Sequence, residues 1–401
     1  MDWFKKSCII FLLLLSNTGI AASGRLFNVT SSGNVLSIRT TIPHHIYPNA
    51  GIKINTPGYS LTNAGIECTP SAKGYCLFTT SDTISHEITI SGSIGEVSVT
   101  LCLNGIGPFS CEKNTTNMQR YAYITNIGGP PVSQCAVTSS GALTSCLNSG
   151  ATINPSTLSL GIAINPARTL AYITTAEGTI RQCSINQNTG ALSACIDSVS
   201  GLGLLESIVF NTAGNFAYIT DASNNSIVGC TVDTITDVLT SCVNFNSAEF
   251  DSPEGLVLNK SGNILYVVNF FSSTVTRCNV NSIDGALSSC QNSLATGLDS
   301  PVGIQLNTEN TYAYISNFNK SVTQCIINPP NGNLIACVDT ATTLPTGSEG
   351  ITLNTSNTLA YVLNSNNTIS HCDTHPVTGA LETCQDSGAT SLNFPFFMVF
   401  N

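Results

Sequence analysis

Charge is scarce in this chain: of its 401 residues only 9% are Asp, Glu, Lys or Arg, against 42% apolar. Such a composition excludes both a disordered ensemble and a coiled coil. Basic residues are the scarcer sign, 13 against 23 acidic for a net charge of −10, so nucleic acid is not expected as a partner. Tryptophan occurs once, at Trp3, methionine three times and histidine five times. Long amphipathic periodicity is missing too, which leaves helices a minor role. The familiar catalytic signatures are absent: there is no Gly-x-Ser-x-Gly, His-Glu-x-x-His, Gly-x-Gly-x-x-Gly, phosphate-binding Lys loop or EF-hand loop. What the sequence has in quantity is glycine, 32 residues, and cysteine, 17. Its length suffices for one large all-β domain and a small one.

The N-terminus reads as an export signal. Lys5 and Lys6 precede a short apolar core, Ile9 to Leu15, and Gly19 to Ser23 supplies small residues for cleavage, so residues 1–22 are expected to leave as a signal peptide. The core is shorter than the roughly 20 residues that span a bilayer, and no other stretch offers a transmembrane segment. Loss of Cys8 leaves 16 cysteines. An even set of thiols behind an export signal implies disulfides in an oxidising compartment: secreted, periplasmic or on the cell surface.

Twelve of those cysteines announce a repeat. From residue 121 they fall in six pairs, Cys135/Cys146, Cys183/Cys195, Cys230/Cys242, Cys278/Cys290, Cys325/Cys337 and Cys372/Cys384, whose first members are 48, 47, 48, 47 and 47 residues apart. A fixed period of this length marks a repeat architecture. Each unit reads as four strands: an apolar run such as Gly255 to Asn259, an aromatic run such as Leu265 to Asn269, a third strand with the first cysteine and a fourth with the second. Four antiparallel strands repeated six times describe a β-propeller over residues 121–401. The first unit lacks its apolar strand, and Pro395 to Asn401 aligns with Pro253 to Asn259. The tail is therefore expected to supply the missing strand and close the ring, which removes the open edges of a stack of β-units.

Five of the pairs, all but Cys135/Cys146, are centred on a turn, so folding the hairpin is expected to set the two residues opposite each other, a position compatible with a cross-strand bridge. Six metal sites would need more ligands than two cysteines per unit, and no histidine recurs with them. Before the repeat, residues 23–111 alternate β-branched runs with Gly, Pro, Asn and Ser, which suggests a small β-sandwich-like domain. Cys68/Cys76 and Cys102/Cys111 bracket short turns there. Residues 112–120 read as a linker, and the rival reading of the segment is a seventh blade.

The endings Tyr-Ile-Thr-Asn at 123–126, Tyr-Val-Val-Asn at 266–269 and Tyr-Ile-Ser-Asn at 314–317, with Thr-Gly-Ala-Leu at 189–192 and 378–381, resemble the YVTN-type and lactonase-like propellers of secreted or envelope-associated bacterial proteins. The resemblance covers about residues 120–401 and carries no catalytic motif across. Two departures stand out: lactonase-like propellers usually have seven blades, and paired cysteines are not part of their pattern.

The chemistry-bearing residues are few. His44, His45 and His86 lie before the repeat, and His371 and His375 flank Cys372 without counterparts in other units, as exposed hairpin residues would. A sharper column precedes the innermost strand: Leu160, Glu206, Glu254, Val302, Glu349 and Phe396 in successive units, positions that converge at one mouth of a propeller's channel. Glu206, Glu254 and Glu349 are either tolerated at a wet rim or a site for Ca²⁺ or a cationic ligand, since a hard cation takes several oxygens. Gluconolactonase-like propellers, by resemblance, hold a divalent metal with acidic and amide residues there. Leu160, Val302 and Phe396 argue against a complete ligand ring, and no cofactor is expected. The leading expectation is an exported, disulfide-stapled interaction module for a protein, glycan or envelope component. The alternative is a lactonase- or lyase-like enzyme with a divalent metal at the channel mouth.

Overall fold

The β-branched and aromatic runs form strands throughout, and the described residues contain no helix. In the computed structural model the chain divides into two compact units between residues 119 and 120. Residues 121–401 are described apart from 139, 154–156, 187–188, 234, 319–321, 330, 341–343 and 345–346; ahead of them, the backbone of the strands between residues 28 and 120 is described. No described helix is long and apolar enough to cross a membrane.

The first unit holds two antiparallel sheets. One orders Asn28–Ser32, Val35–Thr40, Ile84–Ser91 and Ser60–Asn63, and the other Thr69–Pro70, Cys76–Thr79, Asn49–Ile54, Gly95–Asn104 and Ser110–Met118. Neither sheet has the sequential order of a blade, so the strands here do not make a seventh one. The segment expected as a linker is mostly strand: Ser110–Met118 pairs with Gly95–Asn104, with Cys102 opposite Cys111. Its Asn and Thr residues suggested a connection, but a partner strand satisfies the backbone groups that a free linker would leave to water. The leader at residues 1–22, the three N-terminal histidines and the sulfur pairing of Cys68, Cys76, Cys102 and Cys111 lie outside the described residues and side chains.

The second unit is a six-bladed propeller. Each blade is a four-stranded antiparallel sheet with its strands in sequential order, for example Pro253–Leu258, Ile264–Asn269, Thr274–Val280 and Leu287–Asn292. The six first strands touch one another in a closed ring. Blade one takes its innermost strand from the tail: Pro395–Phe400 pairs with Arg120–Asn126, with Tyr123 opposite Val399. The backbone N–H of Asn401 donates to Tyr121 O at 2.9 Å, so the ladder runs to the last residue.

The aromatic second strand is the core of each blade because neighbouring blades cover both its faces. Tyr123, Tyr172, Tyr218, Tyr266, Tyr314 and Tyr361 are the largest fully buried side chains. Burying one such ring contributes on the order of 2 kcal/mol, provided that its hydroxyl finds a partner. It does, and always in the next blade: the phenols donate to the carbonyls of Gly190, Asp237, Gly285, Gly332, Gly379 and Gly141 over 2.5 to 2.8 Å. The acceptor lies in the outer hairpin turn, where the backbone is left-handed. Gly285 shows why glycine suits it: at φ 73° an added Cβ would stand 2.6 Å from Phe216. Asp237 takes the left-handed position in blade three at φ 56°. Tyr361 reaches Gly141 across the closure, so the last of these bonds completes a circle.

The turn after each innermost strand is fixed by asparagine. Asn259 Oδ1 accepts the N–H groups of Asn263 and Ile264 at 3.0 and 3.1 Å, and Asn307 does the same for Thr311 and Tyr312. Such side-chain bonds replace the backbone partners a tight turn cannot supply.

All six cysteine pairs of the repeat are bridged within their own blade: Cys135 to Cys146, Cys183 to Cys195, Cys230 to Cys242, Cys278 to Cys290, Cys325 to Cys337 and Cys372 to Cys384, with Cα atoms 4.0 to 4.1 Å apart. The direct opposition expected from the sequence is corrected, because the second member of each pair has no residue squarely across from it. Two residues of the outermost strand face one of the third: Ser145 and Cys146 face Cys135, Ala194 and Cys195 face Cys183, and Ser241 and Cys242 face Cys230. Ser289 and Cys290 stand in the same way to Cys278, Ala336 and Cys337 to Cys325, and Thr383 and Cys384 to Cys372. The cause is a β-bulge, made by a left-handed residue just before each second cysteine with φ of 47° to 50°. The two sulfur positions also differ in burial. The first cysteines lie inside the sheet, whereas Cys195, Cys242, Cys290, Cys337 and Cys384 are half-buried and only Cys146 among the second members is buried. A bulge on the outermost strand discourages edge-to-edge pairing, and six bridges fit an oxidising compartment.

Candidate functional site

Where the innermost strands begin, the repeat supplies position and the side chains vary. The column residues take their places because the preceding blade grips their backbone. Thr174 Oγ1 donates to Glu206 O at 3.2 Å and Thr220 Oγ1 to Glu254 O at 2.7 Å, while the hydroxyls of Thr125 and Ser316 donate to the carbonyls of Leu160 and Glu349. The same hydroxyls accept N–H groups from the innermost strands of their own blades: Gly161 at 2.7 Å, Ser207 at 2.9 Å, Gly303 and Phe397 at 3.0 Å. Val268 and Leu363 fill the equivalent place in blades four and six and offer Val302 and Phe396 no such hydroxyl. Close approach of neighbouring innermost strands also needs a missing Cβ: one added at Gly350 would lie 2.4 Å from Phe396 O.

These hydroxyls are not singled out in the sequence reading above, although it contains their signal. The third letter of each Tyr-Ile-Thr-Asn ending is Thr or Ser in four of six blades, an unusual polar choice for a fully buried strand.

Glu206, Glu254 and Glu349 are brought together, but not at a wet rim. Glu206 is 6% and Glu349 2% exposed, whereas Glu254 is half-buried. The correction has a clear cause: Leu160, Val302 and Phe396 form an apolar cluster with Ile127, Ala176, Leu204, Phe270 and Phe397 at the same mouth, and this cluster excludes water. Burial pushes the Glu349 carboxyl up from its ordinary 4.5 to about 7. Burial raises Glu206 as well, a rise softened by a hydrogen bond to Glu254. Glu254 is raised well above the ordinary value by burial first, then by the charges of Glu206 and Glu349. Two carboxyl oxygens, Glu206 Oε2 and Glu349 Oε1, are buried without a hydrogen-bond partner.

The mouth has an aromatic margin. Phe270 meets Phe271 edge-on at 5.5 Å and Phe318 at 6.3 Å between ring centroids. Phe271 is 74% and Phe318 50% exposed. Farther along the axis, the innermost strands line a channel of about 310 Å³ with Ile208, Val257, Ile304 and Met398 among its walls.

Metal binding and histidine chemistry find less support. Among the described residues, no three His, Cys, Asp or Glu side chains stand close enough to hold a metal ion. His371 is buried rather than exposed, because it packs over Tyr361 at 6.2 Å between ring centroids and meets Gln385 through Nε2 at 2.8 Å. Burial lowers its pKa. His375 is half-buried, with Nδ1 accepting the N–H groups of Val377 and Thr378, and lines a separate cleft of about 440 Å³ with Glu309, Tyr312 and Asn357.

With this geometry in place, comparison with known proteins adds a family similarity and a fold. The family model described as lactonase, 7-bladed beta-propeller, matches residues 114–305. Among solved structures, a chain of the nidogen/laminin complex superposes with a TM-score of 0.55 at 13% identity over 70% of this chain and 98% of its own. Candidate 6-phosphogluconolactonases from Bacteroides fragilis and Bacteroides uniformis each superpose with a TM-score of 0.52 at 15% identity, covering 90% and 71% of this chain and 99% of theirs. No curated protein matches significantly. The repeat is similar to that of the lactonase-like propellers, here with six blades rather than the seven of the family's description.

Proposed function

We propose that this lactonase-like propeller is an exported binding module that engages a protein, glycan or envelope component through its channel mouth. One observation carries the proposal: three carboxyls, two of them buried with an unpartnered oxygen, stand with an apolar cluster and an aromatic margin where the innermost strands begin. Apolar and aromatic surroundings with a few convergent polar groups are the composition of a binding site. The nidogen/laminin chain supports the reading to the extent that a propeller of this fold is part of a protein complex. The export signal expected from the sequence and the six staples suit a scaffold that works outside the reducing cytoplasm.

The second reading, a lactonase or lyase using a divalent metal at the same mouth, draws on the family match and the three glutamates. The two are separated by assaying the purified protein with 6-phosphogluconolactone in the presence of Ca²⁺ or Mn²⁺. The binding reading expects hydrolysis no faster than buffer and an unchanged melting temperature on adding either ion. Turnover that disappears in Glu254→Gln would replace it with the enzyme.

A further inference from the structure

Repetition fails at the mouth in a specific way: three of six equivalent positions carry acids, and among the described residues no basic side chain pairs with them. Among the described residues the ion pair given by the structure is Arg181 with Asp197, and no lysine, arginine or histidine pairs with Glu206, Glu254 or Glu349. Two oxygens of side chains more than nine-tenths buried, Glu206 Oε2 and Glu349 Oε1, have no donor. Leaving a buried acceptor unsatisfied is costly, and more so when the group ionises. A donor of positive charge entering from outside would relieve that cost.

The surroundings indicate which cation. A bare calcium ion takes six to eight oxygens, which a half-apolar ring does not offer. Phenyl rings, by contrast, attract cations that shed water easily, and Phe270, Phe271 and Phe318 stand at the edge of the same apolar cluster. A guanidinium is planar, weakly hydrated and carries five N–H donors, enough to serve several carboxyl oxygens while its flat face meets an aromatic ring. The exposed Phe271 and Phe318 would then be covered by apolar neighbours of the basic residue, as contiguous apolar patches at functional mouths usually are.

We propose that the channel mouth receives an arginine side chain of a partner protein, presented on a loop with apolar residues on either side. The proposal rests on the binding-module reading and names its partner chemistry. It is tested by calorimetric titration of the intact secreted protein with acetyl-Leu-Arg-Leu-amide and with the citrulline counterpart, which keeps the shape and removes the charge. The arginine peptide should bind at least about tenfold tighter, a difference typical of a desolvated cation among aromatic rings and carboxylates. Glu349→Gln and Glu206→Gln should each erode that preference, and Phe271→Ala should weaken both peptides, the arginine peptide more. Equal binding of the two peptides, a preference unchanged in both glutamine variants, or displacement of the arginine peptide by micromolar CaCl₂ would overturn the proposal. Equal binding lost in Phe271→Ala would do so while leaving the binding module standing, whereas lactone turnover would remove both.

Discussion

The outer rim and the channel mouth are built by one repeat under opposite rules. At the rim all six blades agree: a left-handed residue before the second cysteine, a disulfide across the bulge, and a phenol from the neighbouring blade bonded to the hairpin turn. At the mouth the backbone agrees almost as well, yet the side chains are Phe396, Leu160, Glu206, Glu254, Val302 and Glu349 around the ring. Ring closure needs every joint to be alike, because each blade meets two neighbours through the same surfaces. The mouth has no such requirement, so its asymmetry points to something other than closure.

The largest expected effect breaks the rim. Each bridge closes a loop between cysteines 11 or 12 residues apart and contributes roughly 3 kcal/mol in the chain-entropy account. Six together exceed the net stability of most domains, so full reduction should unfold the propeller or lower its melting temperature by tens of degrees, as followed by circular dichroism with and without reductant. The paired change Cys278→Ser with Cys290→Ser should cost one increment, about equal to that of any other pair. Unequal costs would show that the blades are less alike than their geometry.

The middle effect sharpens the contrast from the mouth. The Glu349 carboxyl lies near pH 7 in the folded protein against 4.5 ordinarily, so the folded state holds the extra proton between those values. Stability from this group is therefore full below about pH 4.5 and is lost as pH rises towards 7, reaching on the order of 3 kcal/mol. Glu206, raised in the same direction, adds to the trend. Thermal melts from pH 5 to pH 8 should show a falling midpoint, and Glu349→Gln should flatten that fall and raise the midpoint at pH 8. A rim substitution should shift the curve without changing its slope; an unchanged slope in Glu349→Gln would sink this account.

How far the sequence discloses each region follows from the same contrast. The rim was legible because its constraints recur: cysteine spacing, the Tyr-containing strands and the hairpin glycines repeat around the ring, and the tail's match to Pro253 to Asn259 revealed closure. The mouth was half legible. Alignment of the repeat placed Glu206, Glu254 and Glu349 in one column, but their burial goes with Phe270 and Phe397 packing against Leu160, Val302 and Phe396, a long-range arrangement with no periodic signature. His371 was misread as exposed for a related reason, since a lone polar residue on a third strand gives no sign that Tyr361 and Gln385 will enclose it. The bulge that takes Cys290 and its five equivalents out of direct opposition was invisible, because the serine, alanine and threonine before them seldom mark a left-handed backbone.

The smallest expected effect concerns the joints between blades. Tyr218→Phe and Tyr361→Phe each delete one buried hydroxyl and leave a carbonyl, Gly285 O or Gly141 O, without that donor. A net loss of about 1 kcal/mol is the usual consequence. Tyr218 joins blades that are continuous in sequence, whereas Tyr361 joins the last to the first across 220 residues. If closure rests mainly on the tail strand, the two variants should lose equal amounts in urea titrations, because the joint is chemically the same. A greater loss for Tyr361→Phe would mean that the final joint bears more of the ring than its neighbours, and that the rim is equivalent in geometry but not in energy.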